Sequence, residues 1–363
     1  MKPSPMVSVV MPVHNTAQYV REAVGSILGQ SLQDFEFIMI DDGSTDGSAE
    51  ILDSYQEKDG RVRIFHQDNN GIAAALNKGI ELARGKYVAR MDSDDISLPE
   101  RLAKQVALME SNPEVGICGT ACRLFGDNCG ITKPKTESEE IKSWLLFGPC
   151  MAHPTVMMRR QLIVDKHLYY DPWFKQAEDY ELWVRFSQHC EMANIPEPLL
   201  LYRVCDKQAT TQFRPEVHRW SGFVHKQAMK VLGIEPSDAE LELHLSLHAL
   251  RFHRSREYVE RVEAWLCKLL DANNAAKAFH PEALSRVVFE FWRYVCAADC
   301  ELGLWIWRKF RKSELTRDCR TACRRRYGSL AWLCLKTKLS KTLGKTRAGR
   351  SLKRLVHGSA FGH

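Results

Sequence analysis

Three aspartates lie close together in the short stretch "ARMDSDDISLP". Asp92, Asp94 and Asp95 directly follow a β-type run, and no basic residue separates them. Like charges at this spacing raise one another's pKa and destabilise a fold unless a cation or ligand compensates. Mg²⁺ and Mn²⁺ prefer a few carboxylate oxygens together with phosphates and water. The stretch therefore predicts either a cation site that holds a phosphorylated ligand or a solvated acidic loop.

A second acidic turn, "DDGSTDG", begins with Asp41 and Asp42 and is rich in turn-forming residues. A carboxylate at this place could accept hydrogen bonds from a base or a ribose. The simpler interpretation is a strand-to-helix turn in which Asp46 or Ser48 only caps the helix. Both interpretations remain open from the residues of this turn alone.

A third acidic pair, Glu178 and Asp179, stands before the apolar helical stretch "YELWVRF". Acidic residues are favoured in a first helical turn by the helix dipole, so a helix start explains the pair without any chemistry. The functional interpretation is a general base for an acceptor hydroxyl. His153 in "CMAHPTVMM" is polar among apolar residues, and a hydrogen-bonded structural histidine explains it at least as well as a functional role.

The elements that must position these residues alternate between strand and helix patterns. Runs of β-branched and aromatic residues predict strands at 7–13, 35–40, 61–65, 86–90 and 115–125, with helices between them. Asn15 is predicted to cap the first helix, with Gln18 at the reciprocal position. This alternation indicates crossover units and a parallel sheet, in which ligands bind at the carboxyl ends of the strands. The first two acidic groups follow strands two and four, so we expect them at one edge.

Several common enzyme classes are disfavoured by the motifs. No strand is followed by the glycine pattern of a dinucleotide site or of a P-loop, which argues against a dehydrogenase and a P-loop ATPase. No G-x-S-x-G nucleophile elbow occurs. A nucleotidyltransferase would carry a glycine-rich basic loop after the first strand, and "PVHNTAQ" is not one.

The composition is that of an ordinary globular protein of about two domains. The chain has 363 residues, of which 45% are apolar and 26% charged. The sequence contains no run of about 18 apolar residues, so no membrane-spanning helix is predicted. The start has no signal-peptide pattern, so we expect the amino-terminal domain to be cytosolic. We predict an α/β domain over 1–214, a mainly helical region over 215–307 and a basic amphipathic tail over 308–363.

Twelve cysteines are present, none in a C-x-x-C pair. The spacing of Cys118 and Cys122, repeated at two other places, could bind zinc if both thiolates lay on one helix face. The favoured interpretation is that these are free thiols filling a reduced interior.

Taken together, these motifs resemble those of the family 2 glycosyltransferases, which have the GT-A fold. The matching stretches run from "VSVVMPVHN" through "IDDGSTDGS", "KYVARMDSDDISLPERL" and "HPTVMMRR" to "EDYELWVRF", and they cover roughly residues 6–210 in the family's order. The resemblance implies an α/β fold with a mainly parallel central sheet flanked by helices. It also implies transfer of a sugar from a nucleoside-diphosphate sugar, most commonly a UDP-sugar, to a hydroxyl acceptor.

The resemblance assigns roles to particular residues. Pro12, Asp42 and Asp92 would bind the nucleotide sugar, and Asp94 with Asp95 would hold a divalent cation, Mn²⁺ or Mg²⁺. Asp179 matches the acid of the family's E-D motif and would be the catalytic base of an inverting single displacement. The Q-x-x-R-W signature of processive members is not visible after this acid, which favours addition of one sugar. Cys205 stands where many relatives carry a histidine, which puts in doubt a further metal or phosphate contact from its loop.

The tail carries a larger net positive charge than the whole chain. Between 308 and 354 there are 17 Lys and Arg against Glu314 and Asp318, a net charge of +15 in a chain whose total is +6. A basic amphipathic segment can lie on an anionic membrane surface, which suits a glycan or lipid-linked acceptor at the cytoplasmic face. A solvated tail is the competing interpretation, and no nucleic-acid partner is expected. The alternative function is a nucleotide-sugar-binding or membrane scaffold protein with little turnover, although the intact acidic set argues against it.

Overall fold

A mixed β-sheet organises the amino-terminal part of the chain. The computed structural model of the protein describes residues 4–205 and 214–317. In this part of the chain the sheet has nine strands, in the order β3-β2-β1-β4-β8-β6-β9-β5, with β7 paired to β6. They are β1 (Val7–Val13), β2 (Phe35–Asp42), β3 (Val62–Gln67), β4 (Tyr87–Arg90), β5 (Ile96–Ser97), β6 (Val115–Gly126), β7 (Gly130–Ile131), β8 (Met157–Arg159) and β9 (Glu191–Val204).

The sheet is mainly parallel, as predicted. Strands β3, β2, β1 and β4 run in one direction, and β6 and β9 are parallel to each other. The short strand β8 joins these two groups because it is antiparallel to both β4 and β6. Strand β5 is antiparallel to β9 at the far edge. The carboxyl ends of β1, β2 and β4 therefore meet at one edge.

Helices connect and cover the strands of this sheet. They are α1 (Val20–Leu28), α2 (Ser48–Gln56), α3 (Ile72–Leu82), α4 (Arg101–Ser111), α5 (Ser138–Trp144), α6 (Arg160–Lys166) and α7 (Glu178–Phe186). All residues of β1 and of β2 are buried, as expected for parallel strands covered on both faces. The apolar stripe of α1, including Val20 and Val24, packs into the same core.

The beginning of α1 differs from the prediction. We expected a helix over 16–29 capped by Asn15, but the helix starts at Val20. Asn15 has a positive φ of 53°, and its side-chain carbonyl accepts a hydrogen bond from the Thr45 backbone N–H at 2.8 Å. The side chain therefore stabilises the neighbouring turn rather than its own helix, so the predicted cap and the reciprocal role of Gln18 are wrong.

The packing of α3 against β1 requires a glycine. A Cβ built on Gly79 would lie 2.3 Å from Cγ1 of Val10, which is closer than any real carbon contact. Helix and strand therefore approach at a distance that only glycine permits, and this outweighs its low helix propensity.

The described residues form two compact units. The first contains residues 4–141, 149–205 and 214–224, and the second contains 142–148 and 225–317. We call residues 142–148 the inserted segment. Beyond β9 the chain is helical: α8 (Arg214–Lys230), α9 (Asp238–His248), α10 (Arg256–Ala276), α11 (Pro281–Ala298), α12 (Leu304–Lys312) and α13 (Glu314–Arg317).

Three histidines bind the inserted segment within the second unit, and two of them, His225 and His244, are buried. Nε2 of His244 donates to the Leu146 carbonyl at 2.8 Å, while its Nδ1 accepts from Nε1 of Trp265 at 3.0 Å. Nδ1 of His225 reaches the same carbonyl at 3.1 Å, and Nδ1 of His248 reaches the next one at 2.9 Å. Burial lowers the pKa of His244 to about 4, so this ring is neutral at pH 7.

Most of the predicted basic tail lies outside the described residues, which end at Arg317. Its first ten residues lie in α12, in α13 and at Ser313 between these helices, and Phe310 and Leu315 are buried there. Among the described helices, none has the length and apolarity needed to cross a membrane.

Candidate active site

The loop after β1 connects two of the acidic turns predicted from the sequence. The backbone N–H of Thr16 donates to Oγ of Ser48 at 3.0 Å, and its hydroxyl bonds Oγ of Ser93 at 3.0 Å. Ser93 lies between the aspartates that follow β4, and Ser48 begins the helix that follows β2. The carboxyl ends of β1, β2 and β4 are thus joined by polar contacts, and the predicted convergence of the acidic turns is observed.

The aspartates after β4 form a compact group. Carboxylate oxygens of Asp92, Asp94 and Asp95 all lie within 4.8 Å of one another. Asp95 is 1% exposed, and its Oδ1 accepts from the Arg203 backbone N–H at 2.8 Å. Its Oδ2 is buried and has no hydrogen-bond partner among the described residues. Because a buried oxygen normally has a partner, this atom is suited to contact a cation.

Burial and neighbouring negative charge raise the pKa of Asp94 and of Asp95. Burial, together with the charge of Asp92, raises the pKa of Asp94 to about 6. The same two causes raise the pKa of Asp95 well above the ordinary value. Three hard oxygen ligands that are costly to ionise side by side fit a divalent cation such as Mg²⁺ or Mn²⁺, which would remove that cost.

A buried arginine at the end of β4 was not predicted as part of the site. Arg90 is 3% exposed, and its guanidinium donates to a carboxylate oxygen of Asp92. Burial opposes the positive charge of Arg90, yet Asp92 raises its pKa overall. Nη1 of Arg101, from α4, donates to the backbone carbonyl of Arg90 and to that of Pro154. The only sequence signal was a lone arginine closing a buried strand.

Arg203 on β9 holds the acidic turn from the other side. Its Nε donates to the Asp94 carbonyl at 2.8 Å, and its Nη2 pairs with Glu22 at 2.8 Å. The guanidinium carbon lies 4.3 Å from the ring centroid of Tyr19 and 4.6 Å from that of Phe125. Arg203 therefore positions the turn, a role that the "YR" of "LLLYRVC" did not reveal because its contacts are distant in sequence.

Asp42 lies at the last position of β2 and is 4% exposed. Its Oδ1 accepts from Nε2 of Gln67 at 2.7 Å and from the Asn70 N–H at 3.0 Å, and its Oδ2 accepts from the Gly71 N–H at 2.9 Å. A carboxylate has about four acceptor positions, so about one remains on Oδ2 for a further donor. Pro12 is buried on β1 opposite Ile40.

The remainder of the second acidic turn has a structural role. Oδ1 of Asp46 accepts from the backbone N–H and the hydroxyl of Ser48, and its Oδ2 accepts from the Ala17 N–H at 2.9 Å. Asp41 accepts from the Ser44 N–H and contacts Nδ1 of His66 at 2.9 Å. Asp46 thus stabilises the turn through its hydrogen bonds, whereas Asp42 has room to accept one further hydrogen bond from a ligand.

The acidic pair begins α7, close to the buried arginine. Oδ1 of Asp179 accepts from the Tyr180 N–H at 2.6 Å. Burial raises the pKa of Asp179, the charge of Arg90 lowers it, and that of Asp92 raises it. Glu178 is 8% exposed, its Oε2 has no hydrogen-bond partner among the described residues, and burial with the charge of Asp179 raises its pKa to about 7. Two acidic groups far apart in sequence therefore interact electrostatically around one arginine.

His153 is hydrogen-bonded, in agreement with the structural interpretation. Its Nε2 lies 2.8 Å from the Tyr170 hydroxyl. Burial, with the positive charge of Arg90, lowers the pKa of His153 well below the usual value, so the ring is neutral at pH 7. The pKa of Tyr170 is raised by burial and by the charges of Asp179 and Glu178. The His153–Tyr170 pair therefore borders the acidic site, and Tyr170 was not predicted.

The cysteines do not form the predicted kind of zinc site in the described part of the chain. Cys118 and Cys122 lie on strand β6 rather than on a helix face. Burial raises the pKa of each to about 12, so both are protonated thiols. They fill the interior, as the favoured interpretation holds.

Comparison with solved structures defines the fold class. TarS from S. aureus, residues 1–349 in complex with UDP-GlcNAc, is similar at a TM-score of 0.56 and 18% identity, over 88% of this chain and 91% of that one. The complex of the same protein with UDP gives a TM-score of 0.52 at 21% identity, over 81% and 87% of the two chains. The mixed sheet with its flanking helices is the GT-A fold.

Sequence comparison identifies the family. The model of "Glycosyl transferase family 2" matches residues 8–168. The O-antigen biosynthesis glycosyltransferase WbnJ of Escherichia coli is 36% identical over 208 residues, which are 56% of this chain and 81% of that one. An uncharacterized glycosyltransferase of Methanocaldococcus jannaschii is 35% identical over 208 residues, 55% and 71% of the two chains. The chain belongs to the family 2 glycosyltransferases, and the resemblance described from its motifs is confirmed.

Proposed function

We propose that the protein is an inverting, metal-dependent glycosyltransferase that moves one sugar from a UDP-sugar to the hydroxyl of a glycan or lipid-linked acceptor. The observation that carries this proposal is that Asp92 contacts the buried Arg90 directly, while the charges of both residues act on the carboxylate of Asp179. Asp92 suits the binding of a diphosphate with its cation, and Asp179 suits the removal of a proton from the acceptor. A single-displacement transferase needs both functions beside one anomeric carbon.

The donor side of the site is formed by the turns after β1, β2 and β4. We assign Pro12, Asp42 and Asp92 to the nucleotide sugar. The free acceptor position on Oδ2 of Asp42 suits the N–H of a base, and uracil presents such a donor. The complexes of S. aureus TarS with UDP and UDP-GlcNAc support a uridine donor here.

Asp94 and Asp95, assisted by Asp92, would hold the divalent cation. Carboxylate oxygens of the three residues lie within 4.8 Å of one another, and the unpartnered Oδ2 of Asp95 fits such a ligand. A bound Mn²⁺ or Mg²⁺ supplies positive charge that stabilises the departing nucleoside diphosphate. Arg203 fixes the turn, because its Nε donates to the backbone carbonyl of Asp94 and its backbone N–H donates to Oδ1 of Asp95.

Asp179 acts on the acceptor. The acceptor oxygen attacks the anomeric carbon while the carboxylate of Asp179 accepts its proton, and the bond from that carbon to the diphosphate breaks with its electron pair. Because attack and departure occur on opposite faces, the anomeric configuration inverts. The bond from the Tyr180 N–H holds one oxygen of Asp179. Its other oxygen is available for the proton.

The acceptor class and the cellular place follow from relatives and from charge. The E. coli relative is named for O-antigen biosynthesis, which supports a surface-polysaccharide or lipid-linked acceptor. The net charge of +15 over 308–354 supports peripheral attachment at the cytoplasmic face of a membrane. We propose a catalytic GT-A domain over 1–214, followed by a helical region and a basic tail.

Ligand-induced thermal stabilisation tests the donor assignment. The full chain, freed of metal with a chelator, is heated with each of a series of nucleotide sugars, with and without MnCl₂. We expect UDP-sugars to raise the melting temperature only when Mn²⁺ is present, since a ligand at 100 times its Kd adds about 2.7 kcal/mol of stability. Release of UDP from the stabilising donor then measures turnover.

The outcomes separate the proposal from its alternative. A donor that stabilises the chain and is also hydrolysed supports the transferase. A donor that stabilises the chain without any release of UDP supports a nucleotide-sugar-binding or scaffold protein. Stabilisation by UDP-sugars that is the same after chelation would contradict the metal dependence.

A further inference from the structure

An exposed group of aromatic side chains lies on the first unit. Trp173 is 51% exposed and Phe223 is 39% exposed, and both contact the partly buried Trp220. The ring centroid of Trp173 lies 4.6 Å from that of Trp220 and 5.0 Å from that of Phe223, at interplanar angles of 79° and 63°. We call Trp173, Trp220 and Phe223 the aromatic cluster. Trp173 meets the other two rings edge-on, and the rings of Trp220 and Phe223 are tilted by 41° to each other.

The backbone that carries Trp173 is held in place. The Trp173 N–H donates to Oδ1 of Asp171 at 2.9 Å, and the Phe174 N–H donates to the Asp171 carbonyl at 3.1 Å. Phe174 is 8% exposed, and its ring meets that of Trp173 at 4.8 Å. The chain therefore buries Phe174 and exposes the larger Trp173, which precedes it on a fixed turn. Contiguous exposed aromatic surface of this kind marks a binding site.

The cluster is connected to the acidic site along a short stretch of chain. Trp173 precedes Asp179 by six residues, which span at most about 20 Å even when fully extended. The same stretch begins at Tyr170, whose backbone N–H and carbonyl both bond the side chain of Asn77 and whose hydroxyl bonds His153. The cluster is thus tied to the residue that borders the proposed base.

We propose that the aromatic cluster is a subsite for a pyranose ring of the acceptor glycan, one or more sugars away from the hydroxyl that reacts. An aromatic face is electron-rich and attracts the weakly positive C–H groups that line one side of a pyranose. Indole adds an N–H that bonds a sugar hydroxyl. The inference rests on the proposed function because it places the acceptor beside Asp179. The proposal adds to that function a second sugar-binding surface, the aromatic cluster, which is separate from the donor site.

The surroundings of the cluster suit a sugar. The exposed side chains of Asp171, Lys175 and Arg219 lie within this sequence neighbourhood, and the guanidinium carbon of Arg219 is 5.5 Å from the Trp220 centroid. The carboxylate can accept hydrogen bonds from sugar hydroxyls, and the two cationic groups can donate to them. Both charge types beside aromatic rings suit the hydroxyls and the apolar face of a sugar.

Saccharide binding to the full chain tests the subsite. The probes are cellobiose, lactose and N,N′-diacetylchitobiose, titrated by saturation-transfer NMR in the presence of UDP and MnCl₂. We expect at least one of them to bind the wild type. Trp173→Ala should weaken that binding about three- to tenfold, the range expected for loss of one aromatic contact. Trp173→Phe should restore most of it, because a ring remains.

Matched variants and a vesicle assay complete the test. Ile131→Ala removes a side chain of the same unit that is 43% exposed, and it should leave saccharide binding unchanged. Thermal stabilisation by UDP with MnCl₂ verifies that each variant is folded. Equal saccharide binding by wild type and Trp173→Ala overturns the subsite, as does absence of binding by all three probes. Loss of binding to phosphatidylcholine–phosphatidylglycerol vesicles in Trp173→Ala, with unchanged saccharide binding, assigns the cluster to a membrane and also overturns it. Failure of the wild type to hydrolyse any donor would concern the proposed function and not the subsite.

Discussion

The pKa of Asp179 is set by two opposing effects, since burial raises it and the positive charge of Arg90 lowers it. Both effects determine the pH at which this carboxylate can accept a proton. Asp179→Asn keeps the shape and the bond from the Tyr180 N–H but removes the basic oxygen. We expect the turnover number to fall by about 10²- to 10⁴-fold, the usual contribution of a general base. Stabilisation by the donor with MnCl₂ should persist. Steady-state transfer or donor hydrolysis measures the change.

The control for this variant is Asp127→Asn, which alters an exposed aspartate on the turn after β6. It should have wild-type turnover. If Asp179→Asn were as active as this control, another group would have to be the base.

The pH dependence of turnover follows from the same burial. Burial raises the pKa of Asp179, and a base must be deprotonated to act. Activity should therefore be low below the raised pKa and should increase as the pH rises through it, above the ordinary aspartate range. A kcat profile between pH 4 and 9 measures this limb. An acidic limb at or below pH 4 would contradict the assignment.

Asp94 makes the cation-free protein less stable at neutral pH. Its pKa is raised by burial and by Asp92 to about 6, so ionisation costs folding free energy above that pH and costs none below the ordinary aspartate range. One pKa unit corresponds to about 1.4 kcal/mol, and Asp94→Asn should stabilise the chelated protein at pH 7.5 by about 1–3 kcal/mol. It should also reduce stabilisation by MnCl₂.

Melting temperatures at pH 7.5 and pH 4 measure the effect of Asp94→Asn, with Asp127→Asn as the control. A gain of equal size at both pH values would show that charge is not its cause.

Residue spacing predicted the acidic members of the candidate site better than the basic ones. Asp42, Asp92 and Asp179 each follow a strand or begin a helix, so the alternating pattern was enough to place them. Arg90 and Arg203 have no local signature, because their roles depend on contacts made after the chain folds. Arg203 bonds Asp94, which is 109 positions away in sequence.

At the scale of the elements, the contact between α3 and β1 depends on Gly79. Gly79→Ala gains helix propensity of about 1 kcal/mol, but the added Cβ would lie 2.3 Å from Val10. Overpacking costs about 1–3 kcal/mol and should outweigh that gain. Thermal or urea unfolding should show a net loss of stability.

Gly25→Ala in α1 is the matched control, since a Cβ there meets nothing within 4 Å. It should increase stability by about 0.5–1 kcal/mol. Equal effects of the two substitutions would contradict the packing argument.

Hydrophobic patterning predicted most of the strands and helices but not their ends or all of their directions. The buried run at Val7–Val13 matches β1 in full. Strand β2 extends two residues beyond the predicted end because Asp41 and Asp42 pair with β3. The short strands β5 and β8 carry too few residues for any periodicity, so their antiparallel pairing could not be predicted. The start of α1 was missed because Asn15 bonds across to another turn.

At the scale of the whole molecule, the net positive charge is concentrated in the basic tail. A chain that ends at Arg317 keeps the buried Phe310 and Leu315 and removes 12 of the 17 Lys and Arg of the tail. We expect it to bind anionic vesicles more weakly than the full chain, because each Lys or Arg near such a surface contributes about 1 kcal/mol. Cosedimentation with phosphatidylglycerol vesicles at low and high salt measures the difference.

Donor hydrolysis by the shortened chain is the control, since the proposed site lies in the first unit. Equal vesicle binding by the two chains would mean that the tail does not attach the protein to membranes.

The inserted segment has a consequence for exchanging parts between relatives. The chain passes from the first unit to the second at 141/142, returns at 148/149 and crosses again at 224/225. A chimera joined only near position 224 would pair a foreign helical region with native residues 142–148, and the Leu146 carbonyl would lose His225 and His244, which bond it in this protein. A chimera that keeps these contacts must exchange residues 142–148 together with the residues from 225 onward. The helical region is therefore not an independent module, because part of its structure is encoded within the α/β domain.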